Sequence, residues 1–276
     1  MVSNSVLGHG KPATAKIALL GRDIANTKSP AVHKAIADSV GIDVAFDVFD
    51  VPYDRLGEGV EMLLSGYDGF LVANPYKSEI NRYIQGAGLS VNVVRCADKT
   101  AYSTDGIGFI SALDKNFDDW RNRVNAVLVL CTGGAAYSVV EALTALGKKA
   151  YVLGRSMVNA VRLASKFDGA QLYSNQPAEM IVNCTPLGTC GEDALAAFCI
   201  LPAFEYAFDL VYTDTLTSFL RRCRNNGSAT ANGADMMIYR EIEGCKIILE
   251  NNLDSDEVYE RAVAILREHG VLGGEQ

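Results

Sequence analysis

Apolar residues in this chain come in short blocks separated by polar turns, and the blocks alternate between two periods. Lys16-Ile-Ala-Leu-Leu-Gly21 is an apolar run that stops at glycine, the pattern of a buried strand. Val32, Ala35, Ile36 and Val40 follow at helical spacing behind Pro30, with Ser29 read as the N-cap and Gly41 as the stop. Val44 to Val51 reads as a second strand, Tyr53 to Leu64 as a helix and Gly69 to Ala73 as a third strand. Strand, helix and strand in repetition predict a parallel sheet with right-handed crossovers. A further apolar block, Val124 to Leu130, ends at Gly133-Gly134, and Ala135, Val139, Ala142, Leu143 and Leu146 continue at helical spacing. Lys149 to Leu153 then predicts a strand, and Met157 to Phe167 a helix. Met180 to Gly188 predicts a strand with a polar turn, and Tyr206 to Tyr212 another strand. Helices are predicted over Thr217 to Arg224, with Gly227 at the end, over Gly233 to Glu250 and over Asp254 to His269. Asp254 and Glu257 have capping-box spacing. The fold class is α/β.

Composition narrows the picture. The 276 residues are 49% hydrophobic, enough for one large or two modest globular domains. A net charge of −8 argues against general binding to nucleic acid or membrane surfaces. Seven cysteines, an odd number with no C-x-x-C pair, read as reduced structural thiols of a cytoplasmic protein. Three scattered histidines give no zinc spacing, so no metal is expected. Met1 to Ala15 is polar, with Gly and Pro, and reads as a short frayed leader rather than a signal peptide or anchor.

The candidate chemistry lies at strand ends. A strand that stops at Gly133-Gly134 and opens a helix is the entrance of a nucleotide-binding unit: glycine lets the backbone approach a pyrophosphate, and the helix N-terminus offers N–H groups to its charge. Glycine pairs also occur in ordinary α/β packing, and Cys131 stands where the first fingerprint glycine is expected. After the second strand of this unit comes Arg155, with no acidic neighbour. An arginine there suits a 2′-phosphate, hence NADP over NAD; it also fits a solvated loop charge. Asn74-Pro-Tyr-Lys77 and Ser103-Thr-Asp-Gly106 lie at further strand ends. Lys77 and Asp105 are candidates for proton transfer, although each alone also fits an ordinary loop charge.

Several motifs share one order over almost the whole chain: Thr27-Lys-Ser-Pro-Ala-Val-His33, Val72 to Lys77, Val91-Asn92, Thr104-Asp-Gly106, Thr132-Gly-Gly-Ala135, Arg155-Ser156, Asn183-Cys-Thr-Pro-Leu-Gly188, Asp209-Leu-Val-Tyr212 and the helix from Gly233. In these the sequence resembles the shikimate dehydrogenase family, which includes quinate/shikimate dehydrogenases. The resemblance implies three segments: a substrate-binding and catalytic domain over 1–105, an NADP-binding Rossmann domain over 106–234, and C-terminal helices over 235–276 that return to the first domain. It implies Lys77 and Asp105 as the catalytic pair, with Lys77 as acid/base and Asp105 orienting it. Free lysine titrates near ~10.4; a helix N-terminus at Pro75 and partial burial would favour the neutral amine, while Asp105 would favour the charged one. Thr27 and Ser29 would bind the substrate carboxylate through their hydroxyls, Asn92 would bond ring hydroxyls, and Tyr212 would contact the substrate. Thr132, Gly133, Gly134, Ala135, Arg155, Ser156, Asn183, Thr185, Leu187 and Gly233 would border the cofactor.

This chain departs from the family's pattern in linked places. Thr27 replaces the usual serine, Ala73 a threonine, Ser103 an asparagine, and Arg240 a glutamine. Gly154 replaces the asparagine common before the arginine. A site that hydrogen-bonds a hydroxyl discriminates strongly against ligands lacking it, so the ring bound need not be shikimate itself. Arg240 is either a fixed fork for a carboxylate, and so a substrate residue, or a solvated charge. The leading expectation is an NADP-dependent dehydrogenase interconverting 3-dehydroshikimate and shikimate or a close hydroxycyclohexene carboxylate. A dehydrogenase of quinate or another polyol acid, and a non-catalytic nucleotide- or metabolite-binding homologue, are the rivals. A homodimer is compatible with the sequence, which does not fix it.

Overall fold

The computed structural model describes residues 14–24, 27–84, 90–201, 203–213 and 215–272. The leader expected at the N-terminus lies outside these residues up to position 13, and the chain is already in a strand at Ala15. The first half contains β1 (Ala15–Gly21), α1 (Ser29–Val40), β2 (Val44–Asp50), α2 (Leu56–Gly66), β3 (Gly69–Val72), β4 (Val93–Arg95) and β5 (Thr100–Tyr102). Then come α3 (Asp105–Asn116), α4 (Trp120–Arg123), β6 (Ala126–Leu130), α5 (Gly134–Ala145), β7 (Lys149–Leu153), α6 (Met157–Ala164), β8 (Ala170–Leu172) and β9 (Met180–Asn183). The remainder is α7 (Ala194–Ala197), β10 (Tyr206–Asp209), α8 (Ser218–Asn225), β11 (Ala229–Asn232), α9 (Ala234–Leu249) and α10 (Ser255–Glu268).

Two sheets form. The first has the order β2-β1-β3-β4-β5. Its first three strands are parallel, as the alternating pattern predicts, but β4 runs antiparallel to both β3 and β5. These last two strands, three residues each, are too short to carry a period, and the pattern does not predict them. The second sheet, β11-β10-β9-β6-β7-β8, is parallel throughout. Its edge strands β8 and β11 also escape the pattern, because they are short and half-exposed.

Each central strand alternates sides, so each sheet buries two layers. Ile17 and Leu19 face α1, α9 and α10, whereas Ala18 and Leu20 face α2 and the buried loop residues Tyr76 and Ile80. Val127 and Val129 pack with Phe109 of α3 and Val139 of α5, whereas Leu128 and Leu130 pack with Leu195 and Phe219. The C-terminal helices thus complete the core of the first sheet. Among them α9 also crosses α3 closely: a Cβ on Gly108 would stand 2.7 Å from the Met236 carbonyl oxygen and 2.9 Å from Arg240 Cβ. Glycine at 108 is what allows Arg240 to lie within reach of the N-terminus of α3.

Candidate functional site

A cleft of about 500 Å³ opens beyond the carboxyl ends of β3, β6, β9 and β10, where open α/β sheets bind ligands. Its lining includes Thr27, Lys77, Asp105, Ala135, Thr185, Tyr212, Gly233 and Arg240. A smaller pocket of about 60 Å³ adjoins it, sharing Thr27, Tyr212 and Arg240 and adding Ser29, Asn92 and Glu241.

Lys77 lies in the turn after β3. The expected α-helix at Pro75 does not form: the Asn74–Pro75 bond is cis, and only a 3-10 turn, Glu79–Arg82, follows. The loop is held instead by Tyr76, fully buried, whose hydroxyl donates to the Val51 carbonyl at 2.5 Å. No helix of its own loop therefore acts on Lys77, whose neighbours are the N-termini of α3 at Asp105 and of α5 at Gly134. Burial, helped by the Arg240 charge, depresses its affinity for a proton against the pull of Asp105, and the net shift is downward. The ammonium donates to Asp105 Oδ2.

Asp105 is the first residue of α3 and is wholly buried. Its carboxylate is held by three donors: Lys77 on Oδ2, and on Oδ1 Arg240 Nη1 at 3.3 Å and Asn92 Nδ2 at 3.4 Å. Burial favours the neutral acid, but the Lys77 and Arg240 charges outweigh it and hold the pKa below the usual carboxylate range. The Asn92 side chain is largely committed within the protein. Its Oδ1 accepts the Thr104 N–H at 2.7 Å, and its Nδ2 donates to Thr104 Oγ1 at 2.8 Å. Thr104 in turn donates to the Arg240 carbonyl at 2.9 Å, tying α9 to the start of α3.

Ser29 corrects a second expectation. It is the first residue of α1, not its cap; Lys28 occupies the cap position and no side chain caps the helix. The Ser29 hydroxyl instead donates to Glu241 Oε1 at 2.7 Å. The Glu241 Oε2 atom faces His33 Nε2 at 3.0 Å, and His33 Nδ1 lies 3.3 Å from Cys245 Sγ. Both His33 and Glu241 are 1% exposed. Burial opposes charge on the imidazole, but the Cys245 sulfur and the Glu241 carboxylate outweigh it and raise His33 to about 10. Glu241 is held below its ordinary range, burial being overcome chiefly by His33.

The side on which a nucleotide is expected is built from backbone. Gly133 caps α5 in extended conformation and Gly134 begins the helix. A Cβ on Gly134 would stand 2.8 Å from Ser90 Oγ and 3.7 Å from Lys77 Cβ, so this turn abuts the lysine loop. The first-turn N–H groups of α5, including those of Gly134 and Ala135, have no partner within the helix and suit an anion. Cys131 adopts φ 119, a conformation that glycine would take without strain. Thr132 packs over Gly154, where a Cβ would meet its Cγ2 at 2.5 Å, which accounts for glycine in place of the usual asparagine. Arg155 is exposed at the end of β7 and forms no ion pair among the described residues, while Ser156 caps α6 through its hydroxyl. Asn183 and Leu187 hold the turn after β9 rather than line the cleft. Asn183 donates to Asp209 Oδ1 at 2.8 Å and to the Leu187 carbonyl at 3.1 Å, and accepts from Thr185 Oγ1 at 2.6 Å. A Cβ on Gly233 would stand 2.2 Å from the Leu210 carbonyl oxygen, so this glycine lets α9 start against the end of β10.

Sequence reasoning missed Glu241 altogether and gave His33 no role of its own. A signal was present: Glu241 is three residues after Ile238 and four before Cys245, on the apolar stripe of α9, where a lone carboxylate demands a buried partner.

The substrate-binding domain model of shikimate dehydrogenase matches residues 19–95. The shikimate dehydrogenase (NADP(+)) of Caldicellulosiruptor saccharolyticus is 27% identical over 260 residues, covering 84% of this chain and 91% of that one. The solved structure of shikimate 5-dehydrogenase from Thermus thermophilus in complex with NADP(H) and shikimate is 25% identical. It covers 92% of this chain and 100% of its own, with TM-score 0.81. Shikimate dehydrogenase from Aquifex aeolicus superposes with TM-score 0.79 at 25% identity, over 91% of this chain and 97% of its own. Motif order, two-sheet architecture and cleft all agree with this likeness: over most of its length the chain is similar to shikimate dehydrogenases, and residues 19–95 match their substrate-binding domain.

Proposed function

We propose that this protein is an NADP-dependent oxidoreductase that interconverts 3-dehydroshikimate and shikimate, or a close hydroxycyclohexene carboxylate, in the shikimate pathway. The observation that carries the reading is the buried Lys77–Asp105 pair in a cleft whose opposite wall is the nucleotide turn. The residues present fit the cofactor: glycines whose Cβ positions are blocked, free first-turn amides of α5, and an exposed Arg155 for a 2′-phosphate. Bound NADP supplies a hydride acceptor or donor.

The chain's own part is the proton. In oxidation the neutral amine of Lys77 accepts the proton of the substrate hydroxyl; in reduction its ammonium returns one to the carbonyl oxygen. Depression of the Lys77 pKa by burial brings the two forms closer in population. Asp105 fixes the amine's direction and balances its charge, and Asn92 and Thr104 fix Asp105. Thr27, Tyr212 and Arg240 serve the substrate, and Thr132 to Ala135, Arg155, Ser156, Thr185 and Gly233 the cofactor. Asn183 and Leu187 act through the turn they hold. The seven free thiols suit a reducing cytoplasm, and no helix among the described residues is long and apolar enough to cross a membrane.

The test is absorbance of NADPH on mixing the protein with NADP and shikimate. Wild type forms NADPH, and Lys77→Met lowers kcat by about 10²–10⁴ while circular dichroism and NADPH binding stay unchanged. Wild-type protein that binds NADPH yet oxidises neither shikimate nor quinate overturns the reading.

A further inference from the structure

The hydroxyls of Thr27 and Ser29 face the inner pocket from neighbouring positions, but they do not offer the same chemistry. A serine hydroxyl has one proton to donate and two lone pairs to receive. The Ser29 proton is committed to Glu241 Oε1 at 2.7 Å. Toward the pocket Ser29 therefore presents only an acceptor, and an ionised carboxylate, itself acceptor-only, gains nothing from it. The arrangement is also charged against a carboxylate at that place, because Glu241 lies directly behind the hydroxyl. Thr27 differs: its Oγ1 accepts the Ser29 N–H at 3.2 Å, which leaves its own proton available to the pocket.

Arg240 supplies what Ser29 withholds. Its side chain is 28% exposed and borders both the cleft and the inner pocket. Nη1 contacts Asp105 Oδ1 at 3.3 Å and Nη2 lies 3.7 Å from Glu241 Oε1. Each terminal nitrogen carries two N–H groups, so each retains a donor. Counting the ionised side chains that line the two pockets, Lys28, Lys77 and Arg240 oppose Asp105 and Glu241. Three cations against two anions leave one positive charge, the complement of a monocarboxylate.

Resting on the dehydrogenase reading, we propose that Glu241, locked by His33, reverses the hydrogen-bond polarity of Ser29. The substrate carboxylate is then carried by Arg240 and Thr27, and the Ser29 position reads a donor such as a ring hydroxyl. Glu241 is a specificity-determining positioning residue in this scheme. It touches no reacting atom and acts through the direction of one proton.

The scheme makes a rescue possible. His33 Nε2 stands 3.0 Å from Oε2, a charge contact without an aligned hydrogen bond. In Glu241→Gln the imidazole beside residue 241 favours the amide oxygen on its own side, which turns the amide NH₂ toward Ser29. Ser29 must then accept from Gln and release its own proton to the pocket, restoring a donor for a carboxylate.

The experiment measures kcat/KM for shikimate and for its uncharged methyl ester in wild type, Arg240→Gln, Arg240→Lys, and the Arg240→Gln/Glu241→Gln double variant, each checked by thermal melting and NADPH binding. Arg240→Gln is expected to lower kcat/KM for the acid by about 10- to 100-fold, the size of a lost charged hydrogen bond, and for the ester far less. Arg240→Lys should fall between, and the double variant should regain most of the loss on the acid. An equal loss on acid and ester in Arg240→Gln overturns Arg240 as the carboxylate anchor. A folded, NADPH-binding double variant no better than Arg240→Gln overturns the reversal at Ser29. Wild type inactive on both acid and ester refutes the dehydrogenase reading instead, which keeps the two failures apart.

Discussion

The two walls of the cleft are made from different materials. The wall proposed for the substrate is built of ionised side chains, most of them buried: Lys77, Asp105, Arg240 and Glu241, with His33 behind, each have a partner of opposite charge. The wall proposed for the nucleotide is built of backbone: glycines at close approaches, the open first turn of α5, and a turn fixed by neutral hydrogen bonds between Asn183, Thr185 and Leu187. Buried charges cost much desolvation and hold only while every partner is present. Backbone sites depend on conformation and local space, so a single side chain there carries less. The comparison teaches that the same cleft is fragile to loss of a charged partner on one wall and to an added side chain at its close-packed glycines on the other.

The largest effect should come from breaking the charged wall. Glu241→Ala leaves His33 buried without its carboxylate, and loss of one partner of a buried pair typically costs about 3–5 kcal/mol; urea unfolding measures it. The cost should depend on pH. His33 is raised from its ordinary 6.5 to about 10, so its contribution is complete below pH 6.5 and disappears as pH rises through about 10. Glu241 is lowered from 4.5, so its contribution is complete above pH 4.5 and is lost as pH falls below it. The stability gap between wild type and Glu241→Ala should therefore be widest between pH 4.5 and 6.5 and narrow toward pH 10. A gap that is flat from pH 5 to 10 would remove the charged imidazole.

On the other wall, Arg155→Asp tests an exposed side chain rather than a buried one. It should weaken NADPH binding by about 10- to 100-fold, the scale of a charge-assisted contact to phosphate, and leave NADH binding within a few-fold. Fluorescence titration with both cofactors measures the ratio; equal weakening of both would mean that Arg155 does not read the 2′-phosphate. The smallest effect belongs to the backbone. Cys131 sits at φ 119, and strained conformations of this kind cost of order 1–3 kcal/mol, partly offset by the greater chain entropy of glycine. Cys131→Gly should stabilise by about 1 kcal/mol and raise Tm by about 2 °C, a gain calorimetry can resolve. A lower Tm would show that the thiol's packing outweighs the strain.

Legibility in the sequence followed the same division. Parallel strands announce themselves as apolar runs because they are buried on both faces, so β1, β3, β6, β7, β9 and β10 could be read directly. Lys77 stood out because it lies just beyond an apolar block, Asp105 because it stands just before one, and both because they lie inside a motif. The short antiparallel pair β4 and β5 had too few residues for a period. The turn at Pro75 looked like a helix start because proline commonly stands at that position, whereas its cis bond is a property of the folded chain. Ser29 looked like a cap because its partner could not be seen: Glu241 lies 212 residues away.

Taken alone, the sequence determined the α/β class, the order of the main elements, the nucleotide turn and the candidacy of Lys77 and Asp105, since each is encoded by local period or by a short motif. Only the tertiary structure decided where those charges found their partners. Gly108 let α9 press against α3, which brought Arg240 to Asp105, and the packing of α9 beside α1 put Glu241 behind Ser29. Local patterns fix which residues share an element. The direction of a buried proton depends on what another element places 2.7 Å away, and no local pattern contains that.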